Sequence, residues 1–528
     1  MAVEGNVPVV ILRENTSVTS GIEVQQKLAG AAIALANILR KTYGPRGLDK
    51  MLYKSNGETA VTNDGAKIIA ELLIKHPAAK AFVELGNAQE SAAGDGVTGC
   101  ILFAAELMQE AGRLLAKGLH PLVLVEGYQL ALAVAIENLQ DGAVTISADD
   151  NEELFKVAFT AMNGKAAEGS AKHLAEMVVL ALTSVARIDG DIERISSEDV
   201  LIAKGRHKAI SESILHNGII IEKRIEIQHM PQVLQSAPTV VLAGDLTVEK
   251  TSRDAEIEIS NPDQLSEFLA AEEELLESKA KLLLDLGAQA IFCSGEIDKN
   301  LLHRLVNAGC FVIGGIDSQD LERISGVSSG RLVHHLADLS RDDLGTLASL
   351  RIQRQESSEG VEEKIYLTGN ESHFATIEVG GSNDVAIEET VRAIHDALRT
   401  TTSAISTRQI SYGGGHPHAS AAAAVRIAAE SQAGRERLAM EAFARALEII
   451  PTTLATNAGA DPLDRLLELR AAIRTGQPNA AGITANGEVG TVADYPAPTE
   501  SHSHAWKAAI EAACSLLRVD QVISARGD

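Results

Sequence analysis

The sequence predicts a multidomain α and α/β protein, with a mainly helical domain drawn from both chain ends and an α/β domain in the middle. Three observations carry that expectation. From about residue 20 to 145, apolar runs of helical character span Ile68 to Ile74, Ile101 to Leu115 and Leu122 to Ile136, separated by Gly, His-Pro and Asp-Gly breaks. A second helical block runs from about 418 to the end through Ala421 to Ile427, Leu438 to Ile450, Leu463 to Ile473 and Ala505 to Leu517. Between the blocks lie short β-type runs, Gly218 to Ile221, Thr239 to Leu242, Ala290 to Cys293 and Cys310 to Ile313, the last three separated by helical stretches. That alternation predicts a partly parallel sheet.

The first helix carries Ile22, Leu28, Ile33, Leu35, Ile38 and Leu39 as a broad apolar face, and Gly44 and Pro45 stop it. Thr62-Asn63-Asp64-Gly65 and Gly94-Asp95-Gly96 are tight turns, the second at the mouth of a long apolar helix. A Gly-Asp-Gly turn frees backbone N–H groups to approach a phosphate at a helix N-terminus and leaves one carboxylate for a metal ion. In the middle of the chain, Asn261-Pro262-Asp263-Gln264 opens a helix with an N-cap, a proline at the first position and a capping glutamine. That helix sets Leu265, Phe268, Leu269, Leu275 and Leu276 among five glutamates.

Composition excludes more than it identifies. The 528 residues are 45% hydrophobic and 23% charged, ordinary globular usage with room for two to four domains. The net charge of −25 is spread without a long acidic tail, and aromatic residues are only 3%, so neither phosphate-backbone attraction nor base stacking is expected. No nucleic acid and no membrane is expected as a partner. Cys100, Cys293, Cys310 and Cys514 are scattered within apolar runs, which reads as buried reduced thiols in a cytoplasmic protein. The only apolar run near the N-terminus, Val7 to Leu12, is too short for a signal peptide or membrane span. The P-loop, His-Glu-x-x-His and Gly-x-Ser-x-Gly signatures are missing, which removes three common enzyme classes.

Three further segments complete an ordered set with Tyr43 to Leu52, Thr62 to Gly65 and Gly94 to Gly96. They are Ala393-Ile394-His395-Asp396-Ala397-Leu398, Gly413-Gly414-Gly415 and Asn457-Ala458-Gly459-Ala460-Asp461-Pro462. With these six in this order, the chain resembles the group II chaperonins, the family of the archaeal thermosome and the eukaryotic cytosolic chaperonin. The resemblance runs from Val7 to Ile523. It implies an equatorial domain from residues 1–146 and 403–528, an intermediate domain from 147–215 and 369–402, and an apical domain at 216–368 with a helical lid near 261–285. Leu265, Phe268 and Leu269 would then form part of a contact surface for non-native protein or neighbouring lids.

The resemblance also implies an ATP-dependent chaperone subunit that assembles into a double ring, as a homo-oligomer or with sister subunits. ATP and Mg2+ are the implied cofactors. Asp95 would hold the magnesium, and Gly96, Val97, Thr98 and Gly99 would lie along the phosphates. Gly44 and Pro45 would form the opposing loop, and Tyr43 and Gly414 would belong to the same nucleotide-binding set. Asp64 and Asp396 would converge on the attacking water, and Lys165 would sense the γ-phosphate from the same moving domain as Asp396. Where the family continues its Gly-Asp-Gly with hydroxyl residues, this chain has Val97-Thr98-Gly99, and Ala497 stands where an acid for the ribose is usual, leaving Asp494 or Glu500 as replacements. These departures motivate a second reading, a structural paralogue with weakened turnover. The pairs His416/His418 and His502/His504 map to the nucleoside side and read as polar loop histidines.

Overall fold

The computed structural model describes residues 16 to 525, apart from 54–56, 58, 73–76, 166–167, 190–191, 207, 226, 228, 249–261, 358–359 and 371–372. It divides into two compact units, Met1–Val179 with Asn383–Asp528, and Leu180–Ser382.

In the first unit, segments from the two ends of the chain pack together. Helices Ile22–Arg40, Val97–Ala116 and Pro121–Asp141 share one apolar core with Glu436–Leu447 and Thr499–Leu517. Aliphatic packing dominates, and the few aromatics stand within it, where Phe103 meets Phe443 edge-on at 5.5 Å. Tyr128 is fully buried and donates its hydroxyl to the Leu107 carbonyl at 2.8 Å. Strand Thr16–Ser20 pairs antiparallel with Gln521–Ala525, and the buried Gln25 amide donates to the Leu517 and Val519 carbonyls.

Two details of this unit differ from the sequence pattern. In Ile22–Arg40 the buried stripe is Val24, Gln25, Leu28, Ala29, Ala32, Leu35, Ala36 and Leu39, narrower than expected, and Ile38 is exposed. Alanines fill part of the stripe. Helix Pro121–Asp141 is long and apolar enough to cross a membrane, but Leu124, Val125, Tyr128, Ala131, Ala135 and Leu139 are buried in the core of this unit.

The second unit contains a seven-stranded sheet with Phe311–Ile313, Ala290–Cys293 and Val233–Leu242 as adjacent parallel strands. Helices Pro262–Asp285 and Lys299–Asn307 lie between successive parallel strands in the chain, which is the α/β alternation that the apolar runs predict. Antiparallel partners extend the sheet through Gly345–Ser357, Gly360–Gly369 and Ile219–Glu222.

A three-stranded sheet joins Val200–Arg206, Ala375–Gly381 and Ile214–His216, with Ala375–Gly381 buried along its whole length. One buried carboxylate there, Glu378, accepts from Lys364 at 2.8 Å and Lys208 at 3.0 Å. Burial works to raise its pKa, but the two ammonium groups prevail and lower it.

Helix Pro262–Asp285 packs its C-terminal half through Leu276, Ala280 and Leu283, whereas Leu269 and Leu275 are exposed. Leu276 is thereby committed to the core, and the helix keeps only part of its apolar set open. Asn261 and the side chains of Leu265 and Phe268 lie outside the described residues. All four cysteines are buried and unbridged.

Candidate functional site

Loops and helices of the first unit surround a cavity of about 280 Å³. At one wall Gly94 and Gly96 adopt φ of +69° and +85°, and Gly96 caps the 20-residue helix Val97–Ala116. Left-handed backbone favours glycine, and the turn directs the first N–H groups of the helix outward at its positive end. The buried Gln89 amide donates to the Asp95 carbonyl at 2.9 Å, which holds the turn from behind.

The opposing loop is built as tightly. Gly44 has φ +85°, and a Cβ there would lie 2.3 Å from Leu454 Cδ2. Asn457 donates to the carbonyls of Arg40 and Tyr43 at 2.9 and 2.8 Å, which explains one of the downstream sequence motifs. Asn63 donates to the Gly164 carbonyl at 2.6 Å, and a Cβ on Gly164 would stand 2.9 Å from Pro45 Cα. The segments carrying Pro45, Asn63 and Lys165 are thus interlocked.

Asp64, Asp95, Lys165 and Asp396 all line the cavity. Asp64 caps helix Gly65–Glu71 by accepting from the Ala66 N–H at 2.9 Å, and its other oxygen pairs with Arg392 at 3.0 Å. Lys165 donates to Asp396 and stands 3.9 Å from Asp95. Burial pushes the Asp396 carboxyl up to about 7 against the pull of Lys165, with Asp95 and Glu90 adding to the rise. A carboxylate in that range is matched to accepting a proton near neutral pH. Burial would lower the Lys165 pKa, but Asp396 and Asp95 outweigh it and hold the ammonium charged.

Glu90 joins the same cavity, and burial, Asp64 and Asp95 raise its carboxyl pKa. The sequence pattern singles out neither Glu90 nor Arg392. Arg392 carries a usable signal, since it stands four residues before Asp396 on one helix face. Glu90 carries a local signal too, since it stands in the last turn of helix Pro77–Ala93, four residues before Gly94 and five before Asp95.

Tyr43, Gly44, Pro45, Gly96, Val97, Thr98, Gly99 and Gly414 also line the cavity. Val97 is largely committed to the core. A Cβ on Gly99 would meet the Tyr43 ring at 3.3 Å, and one on Gly65 would meet Thr98 Oγ1 at 2.3 Å. Side chains added beside Thr98 therefore meet packing limits that the sequence does not disclose. Ala497 lines the cavity, whereas Asp494 and Glu500 are exposed and do not.

The histidine pairs split, and neither is a loop pair. They stand in the first turn of helix His416–Glu430 and in the first two turns of helix Thr499–Leu517. His418 and His502 meet edge-on with ring centroids 5.4 Å apart, and His418 also contacts Trp506. Burial lowers both pKa values, His502 to about 4, so both rings are neutral. His416 and His504 instead bond the Ala481 carbonyl and the Gln89 side chain. Among the described residues, no group of three or more His, Cys, Asp or Glu side chains is gathered to hold a metal.

The TCP-1/cpn60 chaperonin family model matches residues 35–527. Thermosome subunit beta of Archaeoglobus fulgidus is 36% identical over 523 residues, covering 98% of this chain and 95% of that relative. Thermosome subunit alpha of Halobacterium salinarum is 37% identical over 524 residues, 99% of this chain and 92% of the relative. Thermosome subunit 1 of Haloferax volcanii is 38% identical over 522 residues, 98% and 92% respectively.

Proposed function

This chain belongs to the TCP-1/cpn60 chaperonin family, and from that premise we propose that it is an ATP-hydrolysing chaperonin subunit that assembles into a double ring and encloses non-native proteins in the cytoplasm. The observation that carries this reading is the convergence of Asp64, Asp95, Lys165 and Asp396 on one glycine-lined cavity. Full-length likeness to thermosome subunits does not favour a paralogue without turnover.

The residues present fit a magnesium nucleotide. The Gly94–Gly96 turn and the helix behind it offer N–H groups to phosphate oxygens, and Asp95 is accessible beside them. With no three-ligand protein set among the described residues, Asp95 would hold magnesium together with nucleotide oxygens and water. When bound, the ion neutralises charge on the phosphates. Asp64 and Asp396 orient the attacking water, Asp396 accepts its proton, and Lys165 offers its ammonium to the terminal phosphate. The segments at 147–215 and 369–402 serve in this reading as the connecting domain that carries Lys165 and Asp396, which couples hydrolysis to closure.

Assembly has its own support. The hairpin Lys50–Tyr53/Thr59–Thr62 leaves Met51 73% and Tyr53 80% exposed, apolar surface suited to a neighbouring subunit. Sedimentation of the purified protein, alone and with sister subunits, is expected to give one sharp species many times the 55.8 kDa chain mass. A monomer under all these conditions contradicts the ring.

A further inference from the structure

Helix Asp384–Thr407 presents Glu389, Arg392 and Asp396 at spacings that place them along one face. The first two of these side chains grip the segment that ends in Asp64. Thr62 donates its hydroxyl to Glu389 at 3.0 Å and accepts from the Asp64 N–H at 3.1 Å. Arg392 donates to Asp64 Oδ2 at 3.0 Å, while Asp64 Oδ1 is held by the Ala66 N–H. Both oxygens of Asp64 are therefore fixed.

Arg392 also approaches Glu389, but only at 4.0 Å. Burial raises the Glu389 carboxyl pKa despite Arg392, which makes Glu389 the weaker partner for the guanidinium. The charge of Arg392 is directed mainly at Asp64.

We infer that Arg392 is a positioning residue for hydrolysis, whose guanidinium fixes the Asp64 carboxylate and ties Asp64 and Asp396 into one unit. The inference rests on the reading of these two acids as the groups that orient the attacking water. One helix then sets both acids, carrying Asp396 itself and aiming Asp64 through Arg392. A fork-shaped donor suits this task because it fixes direction as well as charge.

The test measures magnesium-dependent ATP turnover by assembled wild type, Arg392→Ala, Arg392→Lys, Asp64→Asn and the Arg392→Ala/Asp64→Asn double variant. Arg392→Ala is expected to lower kcat about 10- to 100-fold with KM for ATP changed less than about threefold, because misplacement costs rate more than binding. Arg392→Lys should recover part of the loss. In the Asp64→Asn background, Arg392→Ala should lower kcat by less than about threefold more, since its effect runs through Asp64. If the alanine variant fails to assemble, the lysine variant carries the test with the same expected split of kcat from KM. Wild-type kcat in the variants, or an equal loss in both backgrounds, overturns the inference alone. An assembled wild type that does not hydrolyse ATP overturns it together with the functional reading.

Discussion

Replacing Asp396 by Asn is expected to reduce ATP turnover about 10²- to 10⁴-fold, the usual contribution of a positioned proton acceptor. Its burial, elevated pKa and place in the cavity fit that task. Nucleotide affinity should change little, because the side chain is assigned to water and not to phosphate. Asn is preferred to Ala because Asp396 is closer to Lys165 than Asp95 is, and an empty position would leave that ammonium poorly compensated. Isothermal titration with ATP and steady-state kinetics separate the two effects. Equal losses of affinity and turnover would show that Asp396 grips the nucleotide instead.

Asp95→Ala should do the reverse in character. Arg392 pairs with Asp64 at 3.0 Å and Arg399 with Glu90 at 3.4 Å, whereas Lys165 is closer to Asp396 than to Asp95, which it meets at 3.9 Å, so the Asp95 carboxylate is the acid of this cavity that most repels a triphosphate in the absence of a cation. Removal of Asp95 should therefore weaken magnesium-ATP binding by more than about tenfold while leaving metal-free ATP binding unchanged or stronger. Titrations with and without magnesium measure both arms. A loss of the same size in both would make Asp95 a structural turn residue.

Much of this site is legible in the sequence because its residues sit in short local motifs. Gly94-Asp95-Gly96 declares its backbone through two glycines, and both have positive φ. Asp396 and Lys165 are legible only through the family pattern, since nothing local distinguishes a buried acid from a surface one. Gln89 and Glu90 stand within six residues of Asp95 and Arg392 shares a helix face with Asp396, but the pairing of Arg392 with Asp64 spans 328 residues and only the folded chain makes it. The same limit applies to the fold. Parallel strands at Thr239, Ala290 and Phe311 are apolar runs, whereas the long antiparallel pair at Gly345–Ser357 and Gly360–Gly369 mixes polar and charged residues and gives no such signal. Nor does pattern alone establish the pairing of Thr16–Ser20 with Gln521–Ala525.

If ATP hydrolysis at this cavity drives protein folding, the two must be gained and lost together. The most direct measurement is ATP consumption and client recovery in one reaction, using purified assembled protein, a chemically denatured client, magnesium and ATP. Magnesium-dependent hydrolysis and ATP-dependent recovery of the client's native activity are expected, both lost in Asp396→Asn. Assembled protein that hydrolyses no ATP, or that restores the client equally well in the Asp396→Asn variant, would contradict that coupling.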